Sequence, residues 1–234
     1  YHATKRRAVL TAGSNSYGYD ANGNLVTRNG STIAYASYNL PTSIASGANT
    51  STLTYGAWRN RSKQVAVTAG VTETSIYVAG LLERVTKGGV TDFRHLISGT
   101  PGIVALHTRR SSGTSDTYYL HRDHLGSAEL ITNAAGAQVV KLSFSAYGER
   151  RDTDWDGPAS SAHLTTLGNT TRHGYTDHEH LDSVGLIHMR GRVYDSRIGR
   201  FLSRDPYIDG VASSQGPNGY AYVHNNPLSR WDPT

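Results

Sequence analysis

The chain has 234 residues, including 25 Gly, 15 Tyr, one Met and no Cys; 37% are hydrophobic, 18% are charged, and Lys plus Arg exceed Asp plus Glu by five. The lack of Cys excludes a disulfide framework and thiolate metal sites. The longest uncharged apolar run is far short of the ~20 residues of a membrane helix. Gly and Pro are too sparse for a collagen-like chain, and the length admits one large domain or two small ones at ~150 residues per domain.

Helical signals are scarce: no window of 12 or more residues keeps an apolar i, i+3, i+4, i+7 pattern unbroken by Gly or a β-branched run. In chain order, residues 31–35, 51–55, 64–67, 74–78, 102–107, 116–120, 129–132 and 138–144 read as strands. Between strands lie hairpin-type turns at Asn22-Gly23, Asn29-Gly30, Lys87-Gly88-Gly89 and Asn133-Ala134-Ala135-Gly136. Asn-Gly tolerates the positive φ of a type I′ turn, which matches the twist of the flanking strands. Strands at 8–12-residue spacing predict an all-β architecture. Tyr19, Tyr38, Tyr55 and Tyr77 recur at strand ends at intervals of 19, 17 and 22. A period near 20 with one hairpin per unit marks a repeat. One hairpin cannot bury its own face, so units must stack, with tyrosine hydroxyls reaching backbone or water.

Residues 151–170 differ, with Asp152, Asp154, Asp156, Gly157 and Pro158 followed by Ser and Ala. The segment reads as a long surface loop. Its alternating carboxylates resemble a calcium loop, but His163 stands where the twelfth-position Glu is needed. The basic clusters are small: Lys5-Arg6-Arg7, Arg109-Arg110, Arg150-Arg151, and the spread Arg190, Arg192, Arg197, Arg200 and Arg204. They read as solvated or structurally paired arginines, so no nucleic acid is expected as a partner of this segment.

Three stretches carry a resemblance. Tyr19-Asp20-Ala21-Asn22-Gly23-Asn24-Leu25 resembles the YD repeat. Residues 118–127, with His121-Arg122-Asp123-His124-Leu125-Gly126, resemble the segment preceding the RHS-repeat-associated core domain. Residues 185–195, 198–206, 218–228 and 231–234 resemble that core domain itself. The chain is thus similar to RHS/YD-repeat proteins over nearly its whole length. The resemblance implies a mostly β fold: a YD-repeat antiparallel ribbon over 1–150, a connector over 151–170 and an RHS core plug over 171–234. Ribbons of this family coil into a hollow shell enclosing a C-terminal toxin or effector of the same polypeptide. Delivery-machinery proteins or a chaperone are further implied partners, and the expected setting is bacterial, secreted or cell-surface. The chain, lacking an initiator Met, is expected to be the terminal segment of a larger shell.

In several members the core also acts as an aspartyl autoprotease that frees the cargo. By motif position its residues map to Arg192, Asp205 and Asp232, with the scissile bond a couple of residues beyond Asp232. Two carboxylates share one proton there, one activating water and the other donating to the carbonyl. An arginine can bias that titration or stabilise the oxyanion. Arg204 before Asp205, and Tyr207-Ile208-Asp209 after Pro206, depart from the autoproteolytic pattern. A purely structural plug with Asp-Pro turns is therefore the alternative. No cofactor is expected. Of the 11 histidines, His178 and His180 are the better metal candidates, with His173 and Asp177 nearby; His121 and His124 read as turn-bonding groups. A metal-dependent hydrolase is the weaker rival. A cell-surface adhesion module is the stronger one, with Trp58, Trp155 and Trp231 available to stack on surface glycans or to pack.

Overall fold

The computed structural model describes residues 7–100, 102–207 and 215–232. Lys5-Arg6 of the first basic cluster, Ile208-Asp209 and Pro233-Thr234 lie outside the described residues.

Fourteen antiparallel strands form one sheet in strict chain order. They are β1 (Thr11–Ala12), β2 (Asn15–Tyr19), β3 (Leu25–Arg28), β4 (Ser31–Tyr35), β5 (Pro41–Ser46), β6 (Asn49–Tyr55) and β7 (Arg61–Thr68). The ribbon continues through β8 (Val71–Val78), β9 (Leu82–Lys87), β10 (Val90–Gly99), β11 (Gly102–Arg110), β12 (Ser115–Arg122), β13 (Ala128–Asn133) and β14 (Gln138–Lys141). All eight predicted strand segments are strands, although 138–144 divides between β14 and β15 (Ser143–Phe144). The short β1 and β2, β3, β5, β9 and the whole of β10 lie outside the predicted segments, because polar residues such as Arg28, Glu83 and Arg94 stand at buried positions and break the apolar alternation.

Two kinds of turn join most of the strands. Asn29 and Gly30 both take positive φ, 43° and 81°, as the two-residue hairpin requires. The second kind is a five-residue closure beginning at Asp20, Ala36, Gly56, Arg110, Asp123, Asn133 and Ser145. In each, the first N–H donates to the fifth carbonyl and the fourth N–H to the first carbonyl. The fourth residue is always left-handed: Gly23, Asn39, Arg59, Gly113, Gly126, Gly136 and Gly148. This is a type I turn closed by a left-handed bulge residue. The repeat frame therefore runs Tyr19-Asp20, Tyr35-Ala36, Tyr55-Gly56, so Tyr35 replaces the expected Tyr38 as the repeat tyrosine. A register shift precedes each of the three tyrosines. Tyr35 Oη donates to the carbonyl of Leu25 at 2.9 Å and Tyr55 Oη to that of Pro41 at 2.8 Å, tying each unit to the one before.

The ribbon buries one face. Near its start that face is apolar: Tyr17, Leu25, Ile33, Ile44 and Leu53 pack on Leu181, Val184, Leu186, Val193 and Leu202. Near its end it is apolar again, where Leu96, Leu106, Leu120, Ile131 and Val140 share a cluster with Leu167. Between them the inward row is polar, with Gln64, Glu73, Glu83 and Arg94 all buried.

The covering layer is the C-terminal part. It opens with β15, paired to β16 (Arg150–Arg151), and a helix α1 (Ser161–Thr170). A four-stranded sheet follows: β17 (Glu179–Leu181), β18 (Leu186–Met189), β19 (Arg192–Asp195) and β20 (Arg200–Phe201). The helix corrects the expected loop over 151–170. Its propensity is poor, with three Thr and a Gly. Local and tertiary bonds hold it instead. Ser160 Oγ accepts from the His163 N–H, Leu167 is fully buried, and Arg94 donates to the Gly168 carbonyl at 2.7 Å. The acidic turn before it is self-satisfied: Asp152, Asp154 and Asp156 each accept from a backbone N–H within the segment.

Five ribbon strands clasp this layer through charges. Arg28 on β3 forks onto Asp195 at 2.5 and 3.2 Å. Arg61 on β7 meets Glu179, Glu73 on β8 takes Arg172 at 2.9 Å, and Glu83 on β9 takes His173 at 3.1 Å. Arg122 on β12 takes Asp177 at 2.8 Å. Removing one partner of a buried pair strands the other charge and costs about 3–5 kcal/mol, whereas an apolar double replacement costs far less. We expect Asp195→Asn to destabilise the chain by about that amount in urea unfolding, and Arg28→Met/Asp195→Leu to recover most of it. Gly113 has φ +94° and open space around a Cβ, so Gly113→Ala is expected to cost about 1–2 kcal/mol from backbone strain alone.

Candidate functional site

β19 begins with Arg192 directly after the Arg190-Gly191 turn, and β20 leads through Leu202 and Ser203 to Asp205. The Arg192 guanidinium lies 3.6 Å from the centroid of the Phe201 ring, a cation–π stack that fixes its plane. Its Nη2 pairs with Asp205 Oδ2 at 2.8 Å, and its Nη1 donates to the Gly219 carbonyl at 3.1 Å. The same carbonyl accepts from the Asp205 N–H at 2.8 Å. Asp205 Oδ1 accepts from the Tyr207 N–H at 2.9 Å, which closes the Asp-Pro turn. Asp232 lines the same cleft of about 530 Å³, with Asp205, Arg192 and Trp231. Burial pushes the Arg192 guanidinium below its usual range, opposed by the charges of Asp205 and Asp232. The structure thus brings the three sequence-assigned residues together. Two carboxylates and a rigidly held guanidinium facing one cleft are a constellation able to handle a peptide carbonyl.

Gly219 lies within the 218–228 core stretch and is not one of the motif-assigned site residues. A Cβ there would stand 2.6 Å from Arg204 Cγ and 3.1 Å from the Asp205 nitrogen. The bare backbone lets residue 219 approach Asp205 and present one carbonyl to both Arg192 and Asp205. Its signal in the sequence was the Asn218-Gly219 pair, which resembles any turn.

A second concentration of chemistry lies between ribbon and core. A cavity of about 700 Å³ is lined by Glu83, His173, Asp177, His178, Glu179 and His188, among others. Ligand-type atoms of Glu83, His173 and Glu179 lie within 4.8 Å of one another. The two histidines favoured from sequence stand apart from that trio. His180 Nε2 accepts from the Tyr175 N–H at 3.3 Å and its ring stacks on Phe144. His178 is buried, its Nε2 has no hydrogen-bond partner, and burial, aided by Arg190, pushes its pKa down to about 4. His173, which the sequence marked only as a neighbour, behaves oppositely. Burial lowers its pKa, but the hydrogen bond and charge of Glu83 override this and raise it to about 9. Glu83 was not legible as a site residue, because it comes from a ribbon strand 90 residues away. His121 and His124 make structural bonds, to Thr132 Oγ1 at 3.0 Å and to the Leu228 carbonyl at 3.2 Å.

No family model matches the chain. Over 116 residues, half of this chain, it is 29% identical to the tRNA nuclease WapA of Bacillus subtilis, covering 5% of that protein. Over 200 residues, 80% of this chain, it is 25% identical to toxin subunit YenC1 of Yersinia entomophaga, covering 19% of it. The crystal structure of TcdB2-TccC3 superposes on 92% of this chain with a TM-score of 0.72 at 20% identity, covering 11% of that chain. This chain therefore spans under a fifth of each of these proteins. The likeness to TcdB2-TccC3 shows the same shell-type fold, and the motif-bearing segments agree with it. These comparisons agree with the resemblance to RHS/YD-repeat proteins that the sequence motifs carry.

Proposed function

We propose that this chain is a wall-and-plug segment of a β-sheet shell that encloses a toxin or effector carried on the same polypeptide. The observation that carries the reading is the covering of one ribbon face by the core layer, down to direct backbone bonding. The Leu25 N–H on β3 donates to the Leu202 carbonyl at 2.8 Å, and Tyr220 Oη donates to the Gly23 carbonyl at 2.8 Å in a ribbon turn. A core seated on the ribbon in one register closes off that stretch of wall. The toxin relatives, and the shell-type fold shared with TcdB2-TccC3, support a bacterial, exported setting. The proposed connector at 151–170 falls within the change from the ribbon sheet, which ends at β14, to the core sheet, which begins at β17.

We further propose that the Arg192–Asp205–Asp232 cleft cuts the chain beyond Asp232 and separates cargo from shell. One carboxylate takes a proton from water while the other gives one to the scissile carbonyl, and the C–N bond breaks as the amine is protonated. Arg192 positions Asp205 and offers its guanidinium to the developing oxyanion. A surface-interaction role is the second reading, favoured by the 87% exposure of Trp58 at a ribbon turn.

In a longer chain carrying the following domain, we expect the parent to be cut and Asp205→Asn and Asp232→Asn to stay intact on denaturing gels. Gly219→Ala, which displaces Asp205 by backbone contact, is expected to slow cleavage about a hundredfold. Cutting of both Asn variants as complete as the parent's leaves a plug without protease activity. The encapsulation reading is tested by proteinase digestion of the intact polypeptide. Cargo protected until the shell unfolds supports it, and cargo digested at the rate of the isolated domain refutes it.

A further inference from the structure

The seam cavity holds groups that neither the shell reading nor the cleft uses. The Nδ1 of His173 faces the Asp177 carbonyl at 2.9 Å, which fixes the ring. Its Nε2 then points at Glu83 Oε1, 3.1 Å away. A backbone carbonyl on one imidazole nitrogen, with the other free for an ion, is how metal-ligating histidines are oriented. Glu179 reaches the same point from β17. Tyr77 donates to its Oε1 at 2.7 Å and Arg61 pairs with its Oε2, so each oxygen keeps a second lone pair. Glu83 and Glu179 are each buried to 7% exposure or less.

An independent observation points to a ligand. His178 is 4% exposed and His188 6% exposed, both line this cavity, and the Nε2 atom of each is buried without a hydrogen-bond partner. Buried polar nitrogens are nearly always satisfied, and orphans call for a water or an ion.

From these groups we propose that Glu83, His173 and Glu179 form a binding site for one divalent transition ion of the zinc class, at the seam between ribbon and core. Imidazole beside carboxylate suits zinc-like ions, whereas calcium and magnesium take oxygen-only sets. The 4.8 Å spread compares with the about 3.4 Å between two ligands of a tetrahedral ion, so closure needs shifts of only about 1 Å. On binding, His173 releases to solvent the proton it shares with Glu83, and the ion takes its place. Water completes the coordination. Because Glu83 belongs to β9 while His173 and Glu179 belong to the core, the ion would pin the core to the wall.

The test uses the purified chain, stripped with chelator and titrated with Co²⁺ and then Zn²⁺. The expected result is one Co²⁺ per chain with a visible ligand-field band, displaced by Zn²⁺. Glu83→Gln and His173→Gln should each weaken binding at least tenfold, and His95→Gln, on the exposed surface, should leave it unchanged. Should the buried variants fail to fold, X-ray absorption of the zinc-loaded parent decides: one or two imidazoles among oxygens support the site, and three or more imidazoles place the ion on surface histidines and overturn it. The proposal is also overturned if the parent binds neither ion at millimolar concentration, or if binding survives Glu83→Gln and His173→Gln intact.

Discussion

A ribbon of antiparallel strands in a single layer has two faces and can bury neither by folding on itself. Everything else in this chain answers that constraint. The inward residues Leu25, Ile33, Ile44 and Leu53 contribute the about 1.5–3 kcal/mol of a buried aliphatic side chain only when something covers them. The cover is the four-stranded sheet of the core, whose strands β17 and β18 are buried throughout. Ribbon and core therefore share their hydrophobic clusters, and neither part owns a complete one on the start side of the wall.

The middle of the ribbon solves the same problem with charge. Gln64, Glu73, Glu83 and Arg94 occupy the inward row where the flanking strands carry aliphatic residues. Buried ion pairs add little net stability, because desolvation offsets most of the attraction. They do discriminate strongly among arrangements. A core displaced by one strand would leave Glu73 without Arg172 and Glu179 without Arg61, each a buried charge facing apolar surroundings. The apolar ends of the seam supply adhesion, and the polar middle selects the register.

Much of the ribbon was legible because turn chemistry is local. Asn29-Gly30 and the Asn133–Gly136 turn announce left-handed backbone in the residue types themselves. The repeat frame was legible in period but not in phase. Tyr38 and Tyr35 lie three residues apart, and only the bulge before Tyr35 decides which ring turns back onto the preceding unit. Arg59 hides its turn altogether, since a left-handed arginine carries no compositional signal. The helix at 161–170 was illegible because its stability comes from Leu167 and Arg94 rather than from propensity. For the site, Arg192, Asp205 and Asp232 came from motif resemblance, and the structure gathers them. Glu83 and Gly219 could not be read, because their roles depend on contacts across 90 residues and on the space a missing Cβ leaves.

The cleft is tied to the same constraint. Phe201 is at once the platform under Arg192 and a member of the aromatic cluster with Tyr175, Tyr194 and Tyr222. Tyr222 Oη lies 3.3 Å from Thr176 Oγ1 and also meets the backbone of Asp232. The turn that bears Gly219 is fastened at Tyr220 to the Asn22-Gly23 turn of the ribbon. Thr176 sits in turn beside Ser127 of the ribbon, whose hydroxyl accepts from its N–H at 3.1 Å. Each carboxylate is thus positioned through a residue that is itself seated on the wall. Loosening the core from the ribbon would release the Gly219 carbonyl and the Tyr222 hydroxyl together, and with them the geometry of Asp205 and Asp232. Seating of the core on the ribbon and assembly of the cleft therefore depend on the same contacts.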